Sequence, residues 1–174
     1  MHGFIGEFFG TMVLILLGAG CCAGNSLNKT YGKQSGWWFI CISWGLAVTM
    51  GVYVAGFLGS LGHLNPAVTI PFDIFGLFPW SNVVPYLLGQ FLGAFVGAVL
   101  VIIQFYPQFK ATPNEEEGNS VGIFATRPAV NSPIFNFLSE VIATFAFIFV
   151  LLNLGNFTQG MKPFIVGLVI AVVG

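Results

Sequence analysis

Long apolar stretches dominate this chain and alternate with short polar segments. Four of the stretches have about the 20 residues that a membrane-spanning helix needs. They run near Phe4–Ala23, Trp37–Leu58, Pro85–Phe105 and Phe135–Leu154. A fifth apolar stretch begins near Phe164 and continues to Gly174. The pattern therefore predicts an all-α membrane protein, a helical bundle with about four and a half spanning helices.

A polar, structure-breaking segment, Gly59–Ile70, follows the second span. The apolar stretch that overlaps its end, Ala67–Leu77, is too short to cross a bilayer. A short apolar stretch beside a Gly/Pro interruption is typical of a re-entrant half-helix. Non-helical backbone is tolerated at membrane depth only inside protein or against a water-filled cavity. We therefore expect this segment to line a path through the membrane.

Composition supports the membrane assignment and excludes several classes of function. Of the 174 residues, 56% are hydrophobic and 6% are charged, whereas soluble domains carry about a quarter charged residues. The net charge of -1 gives no indication of nucleic-acid binding. We find no nucleophile triad, phosphate loop or metal-ligand spacing, so the sequence predicts neither an enzyme nor a bound cofactor or metal.

A weak internal repeat relates the two parts of the chain. Glu-x-x-x-Thr opens the first span at Glu7 and the fourth at Glu140, and Gly45–Val48 matches Gly167–Ile170. Because three crossings separate the copies, they enter the membrane from opposite sides, which makes the repeat inverted. We expect one channel domain, 1–174, which is incomplete. Its parts are a first repeat (1–106), a long loop (107–133) and a partial second repeat (134–174).

Small residues recur every four positions on the spans, as in the ridge Gly89, Gly93 and Gly97. Such ridges predict closely packed membrane helices and are not specific for a function. The run Glu115–Glu117 in the long loop is interpreted as a solvated face.

Asn65-Pro66-Ala67 is the sharpest local motif. Asn65 suits the N-cap of a helix and Pro66 suits its first turn. The helix would point its positive end at Asn65, whose amide could donate to a passing hydroxyl while carbonyls of Leu61 and Gly62 accept. An ordinary capped helix is the alternative interpretation.

Glu7 and Glu140 carry carboxyl groups inside apolar spans. A charged side chain is costly there, so an ionisable residue is by default a candidate for a functional role. They either relay protons in a coupled transporter or anchor the re-entrant loops by accepting backbone N–H bonds. Their matched places in the repeats favour anchors. Trp44 lies mid-span, where packing is favoured over narrowing of a pore. His63 is interpreted as a hydrogen-bonded loop residue rather than a metal ligand or proton shuttle.

Gly62–Thr69 resembles the first signature loop of the aquaporin (major intrinsic protein) family. Trp44, followed by glycine, resembles the glycerol-facilitator branch of that family, and Glu7 and Glu140 match its repeat-related glutamates. Phe124–Pro128 is similar to a stretch of its long extracellular loop. The resemblance covers essentially the whole chain.

The resemblance implies six spanning helices and two half-helices whose Asn-Pro-Ala tips meet in mid-membrane. It implies homotetramers in a lipid bilayer, with one pore per subunit and passive flow of water, glycerol and similar neutral solutes. Trp44 would form the apolar wall of the narrowest point, and the segment from Leu61 through His63 to Asn65 would form a polar ladder.

Two departures from the family accompany this resemblance. The second half-helix, its asparagine, the filter arginine and the sixth helix are not in the sequence, so we expect a fragment or a truncated product. Leu61 stands where the family usually has glycine, and any positive φ required there would be strained.

Basic residues give a conflicting indication of orientation. The loops after spans one and three hold Lys29, Lys33, Lys110 and Arg127, and the opposite side holds Lys162. The positive-inside rule places the first set in the cytoplasm. The resemblance implies the reverse, with the N-terminus in the cytoplasm, and we follow the resemblance.

We therefore expect a glycerol-facilitator-type channel subunit. The alternatives are a water-selective channel, a proton-coupled transporter that uses Glu7 and Glu140, and a non-conducting fragment.

Overall fold

A computed structural model describes residues 2–113, 120–154 and 160–174, which form α-helices and connecting turns without a strand. Glu115–Glu117 lie outside these described residues. The helices are α1 (His2–Ser26), α2 (Trp37–Phe57), α3 (Pro66–Ile74), α4 (Val83–Gln104), α5 (Tyr106–Ala111), α6 (Pro133–Asn153) and α7 (Lys162–Val173), with 3-10 turns at Trp80–Asn82 and Ser120–Ile123.

The predicted spans are confirmed. Helices α1, α2, α4 and α6 are long and apolar enough to cross a membrane, and α3 is a half-length helix of 9 residues. The bounds differ by a few residues: the first span continues past Ala23 to Ser26, and the third begins at Val83 rather than Pro85. The fifth begins at Lys162 rather than Phe164.

The first part of the segment 107–133, which joins the third and fourth spans, contains a short helix that the sequence analysis did not predict. Helix α5 covers Tyr106–Ala111. Pro107 lies in its first turn, where a missing N–H breaks no helical hydrogen bond. One turn later the Lys110 ammonium lies 4.8 Å from the centroid of the Tyr106 ring, a cation–π contact that favours the helix.

Helix α1 lies between α2 and α4, and α2 also packs against α7. A cluster of small and branched side chains fills the space between α1, α2 and α4, among them Ala19, Ala23 and Val101. A second cluster joins the half-helix to the later helices through Val68 of α3, Phe147 of α6 and Val166 of α7. Most of α6 is exposed, which suits contact with lipid.

The glycine ridge of α4 touches the backbone of α1, as its spacing predicts. A Cβ placed on Gly93 would lie 2.2 Å from the Phe8 carbonyl oxygen, and one on Gly89 would lie 2.7 Å from the Phe4 carbonyl oxygen. Real Cβ atoms do not approach so closely, so glycine alone permits this crossing.

The two glycines matched by the internal repeat meet where α2 crosses α7. A Cβ on Gly45 would lie 2.5 Å from the Gly167 carbonyl oxygen, and a Cβ on Gly167 would lie 2.2 Å from that of Gly45. The contact is reciprocal, as expected where two copies related by a two-fold axis meet.

The α1–α4 crossing generates the first prediction. Gly93→Ala should lower the free energy of unfolding by about 1–3 kcal/mol, because the added methyl group overpacks a backbone contact. Gly24→Ala on α1 is the matched control, since its Cβ would meet nothing within 4 Å. Denaturation of both variants in bicelles measures the difference, and equal stability of the two would contradict the assigned role of the ridge.

Candidate functional site

The re-entrant segment begins with a turn that ends α2. Gly59 has a φ of 83°, which glycine adopts without strain. The Ser60 N–H donates to the Ala55 carbonyl oxygen at 2.9 Å, the long bond of a Schellman cap. This turn reverses the chain and directs residues 60–65 back along the bundle.

The carboxylate of Glu7 holds this segment. The residue is completely buried on α1. Its Oε1 accepts from the Ser60 hydroxyl and from the His63 N–H at 2.9 Å. Its Oε2 accepts from the Leu64 N–H at 2.7 Å and from the Gln90 side-chain amide at 2.8 Å. Four donors therefore compensate the burial of one carboxylate.

Backbone strain in the segment falls at Leu64 and not at Leu61. Leu64 has a φ of 52°, in the left-handed region that is unfavourable for a branched side chain, whereas Leu61 does not have a positive φ. Gly62, with a φ of 69°, carries the other left-handed position near it. Since the N–H of Leu64 donates to Glu7, the same carboxylate that anchors the segment also holds its strained residue in place.

Asn65 is the N-cap of α3, as the local pattern predicts. Its φ is -153°, and its Oδ1 accepts from the Ala67 N–H at 2.9 Å. Pro66 lies in the first turn of the helix. Because the side-chain oxygen makes the cap, the two N–H donors of the amide remain for another partner.

Three polar side chains that the sequence analysis did not select complete the network. Gln90 on α4 donates from one amide nitrogen to Thr69 at 2.9 Å and to Glu7. The Thr69 hydroxyl in turn donates to the Asn65 carbonyl oxygen at 3.2 Å. Gln90 has a sequence signal, since it is a polar residue within an apolar span. Ser60 and Thr69 have none, because small hydroxyl residues are common in such segments.

The His63 side chain lies inside an aromatic group. Its ring centroid lies 5.3 Å from that of Phe72, 4.8 Å from that of Phe78 and 5.1 Å from that of Tyr86. Its Nδ1 lies 3.2 Å from the Thr69 hydroxyl. His63 is therefore a hydrogen-bonded residue of the loop, as interpreted from the sequence.

A cavity of about 740 Å³ runs beside this segment. Its wall includes all five residues that the sequence analysis placed along a pore, namely Trp44, Leu61, Gly62, His63 and Asn65. The other helices contribute apolar side chains, among them Val48, Val52, Phe147, Leu151, Val166 and Ile170. One wall thus combines a polar half-helix tip with apolar helix faces.

Trp44 packs against neighbouring helices and also lines the cavity. Packing and a place in the pore wall, the two alternatives raised by the sequence, are therefore compatible. Its half-buried ring packs against the α1–α2–α4 core. Its indole N–H donates to the Cys22 sulfur at 3.3 Å. The indole therefore presents carbon atoms to the cavity and uses its one donor elsewhere.

Glu140 lies apart from this site. The residue is exposed on α6, and its side chain makes no hydrogen bond to any residue in the described ranges. Its role as an anchor stays a prediction.

Comparison with known proteins places this geometry in a family. The major intrinsic protein family matches residues 1–174. The chain belongs to this family. It is 67% identical over 174 residues to glycerol uptake facilitator protein 2 of Lactiplantibacillus plantarum, a match that covers 100% of this chain and 74% of that protein. It is 44% identical over 176 residues to the glycerol uptake facilitator protein of Streptococcus pneumoniae, with the same coverage of both chains.

A solved structure agrees with these matches. The X-ray structure of the aquaglyceroporin from Plasmodium falciparum superposes with a TM-score of 0.80 at 29% identity, covering 99% of this chain and 70% of that one. The predicted family and fold are therefore confirmed. This member of the family spans about three-quarters of the length of these relatives.

The Glu7 network generates the second prediction. Glu7→Ala leaves buried donors unpaired at about 1–3 kcal/mol each and should prevent stable folding. Glu7→Gln keeps an acceptor for one pair of donors but directs its own NH2 at the other pair, so we expect an intermediate loss of stability and retained transport. Unfolding titrations with solute flux normalised to folded protein check both. A Gln variant with parental stability and no transport would show that the carboxylate does more than anchor.

Proposed function

We propose that this chain forms a membrane channel that conducts glycerol and other small uncharged solutes passively, together with water. One observation carries the proposal: a single cavity brings together Asn65 at the tip of a half-helix, the indole of Trp44 and the apolar faces of three helices. The glycerol uptake facilitators and the aquaglyceroporin to which the chain is similar support glycerol as the solute.

Asn65 supplies hydrogen bonds at the tip of α3. Its oxygen caps the helix, so its amide donors face a solute that passes through the cavity. The backbone carbonyls of Leu61 and Gly62 lie outside any helix and are free to accept from that solute's hydroxyls. The positive end of the α3 dipole, directed at Asn65, disfavours cations.

The apolar helix faces suit the other side of a polyol. Glycerol carries hydroxyls on one edge of its chain and C–H groups on the other. Val48, Val52 and the carbon face of Trp44 would contact the C–H groups while the loop replaces part of the hydration shell of the hydroxyls. Ions lose far more hydration energy on such a wall than a neutral polyol does.

The geometry favours passive conduction over proton coupling. A relay carboxylate must exchange protons with the transport path. Glu7 is completely buried, is engaged by four donors and does not line the cavity. We therefore assign Glu7 the role of an anchor. For Glu140 we propose the corresponding role from its matched place in the internal repeat.

We also propose the organisation implied by the family. The chain is one channel domain with a first repeat at 1–106, a long loop at 107–133 and a second repeat from 134 onward. The subunits form homotetramers in a lipid bilayer with the N-terminus in the cytoplasm. The exposed apolar side chains of the spanning helices, such as Phe91, Phe95 and Ile142, support burial against lipid or neighbouring subunits.

Osmotic swelling of proteoliposomes tests the function. We expect glycerol flux above that of protein-free vesicles and independent of an imposed pH gradient. Flux that requires the gradient would favour a proton-coupled transporter. Water flux without glycerol flux would favour a water-selective channel, and no flux at all would favour a non-conducting fragment.

The third prediction concerns Asn65. Asn65→Asp keeps an oxygen for the cap but replaces the amide donors with a negative charge, which opposes the exclusion of cations. We expect stable folding, reduced glycerol flux and measurable cation leak. Parental glycerol flux in liposomes would remove Asn65 from the pore.

The fourth prediction concerns Trp44. Trp44→Ala should widen the cavity and raise the ratio of xylitol to glycerol flux, because a large apolar wall is lost. A residue with a packing role alone would instead lower stability, by about 3–5 kcal/mol for a buried Trp, at an unchanged ratio. Flux of both solutes, normalised to folded protein, distinguishes these outcomes.

A further inference from the structure

One face of α1 contacts the indole of Trp44. Gly18 and Cys22 are four residues apart on that helix, so they lie one turn apart on the same face. Both are buried, and both touch Trp44. Neither belongs to the wall of the cavity.

Gly18 determines how closely the Trp44 ring approaches α1. A Cβ on Gly18 would lie 2.4 Å from Cε3, 2.5 Å from Cζ3 and 2.8 Å from Cδ2 of Trp44. The ring therefore occupies the space of the missing side chain. Ordinary van der Waals contact begins at 3.4 Å, so even a methyl group would displace the ring or the helix by about 1 Å. Because Trp44 lines the cavity and Gly18 does not, we expect the ring to shift toward the cavity.

Cys22 fixes the orientation of the same ring. Its sulfur accepts the indole N–H at 3.3 Å, within the core formed by α1, α2 and α4. A buried indole N–H needs a partner, and the Cys22 sulfur on α1 supplies it. The bond therefore keeps the donor away from a passing solute and the carbon face toward it.

We propose that Gly18 and Cys22 are positioning residues that set the width and the polarity of the channel through Trp44. Gly18 sets the depth of the indole behind the cavity wall, and Cys22 sets which edge of the indole faces the solute. Residues of α1 as well as of α2 thus determine the size limit for solutes. This inference rests on the proposed role of Trp44 in the pore.

Gly18→Ala tests the depth of the ring. We expect the ratio of glycerol to water flux to fall by roughly tenfold or more, since overpacking by one methyl group shifts its neighbours rather than being absorbed. Gly20→Ala and Gly24→Ala on the same helix are matched controls. Their Cβ atoms would meet only Phe105 at 3.9 Å, and nothing within 4 Å, respectively. If the ratio of glycerol to water flux in Gly18→Ala equals that in the two controls, the inference is overturned.

The double variant separates this inference from the function on which it rests. In a Trp44→Ala background no ring remains to be displaced, so Gly18→Ala should leave the glycerol-to-water ratio unchanged. A full effect in that background would show that Gly18 acts on the backbone and not through Trp44. If Trp44→Ala alone fails to change selectivity, the proposed pore role of Trp44 fails first. If it changes selectivity while Gly18→Ala in the parent does not, only the present inference fails.

Cys22 provides an independent test should Gly18→Ala fold poorly. Cys22→Ala removes the acceptor, whereas Cys22→Ser keeps one of similar size. We expect the alanine variant to lower the glycerol-to-water ratio and the serine variant to restore the parental ratio. The indole resonance of Trp44 in a ¹H–¹⁵N spectrum should move in the alanine variant and stay near its parental position in the serine variant. Equal flux ratios and equal spectra for the two would show that the hydrogen bond does not position the ring.

Discussion

The carboxylate of Glu7 accepts hydrogen bonds from four donors that belong to two different parts of the chain. Two backbone N–H groups and a hydroxyl come from the re-entrant segment, and an amide comes from Gln90 on α4. A non-helical segment inside a membrane protein must have its polar groups satisfied by the protein itself. Glu7 meets that requirement at the point where Leu64 is strained, and the position of Asn65 depends on it.

Helix packing brings these groups within reach of one another. Gln90 stands beside Gly89, whose missing side chain lets α4 approach α1 until the amide reaches Glu7. Thr69 then connects the same amide to the half-helix. The polar network therefore depends on the close approach of the helix backbones. In a membrane, where apolar side chains gain little by leaving lipid, small residues and interhelical hydrogen bonds supply much of the specificity.

Much of this arrangement follows from local sequence rules. Span length, the Asn65–Pro66 helix start and the glycine ridge of α4 depend on residues adjacent in sequence or one turn apart, so the pattern predicts them. The partners of Glu7 lie 53 to 83 residues away, and no spacing rule identifies them. The strain at Leu64, rather than at Leu61, depends on which N–H reaches the carboxylate. Helix α5 was missed because proline at 107 indicates a turn as readily as a helix start.

The long sequence separation within the Glu7 network also bears on how the protein is made. Helix α1 is synthesised first, and its carboxyl group enters the membrane long before residues 60–64 exist to donate to it. Charged groups without partners are disfavoured at that depth. The first span therefore gains its full stability only when the re-entrant segment and Gln90 have followed it into the bilayer. We expect membrane insertion of this protein to be a cooperative event extending over its first 90 residues, in which later segments secure an earlier one.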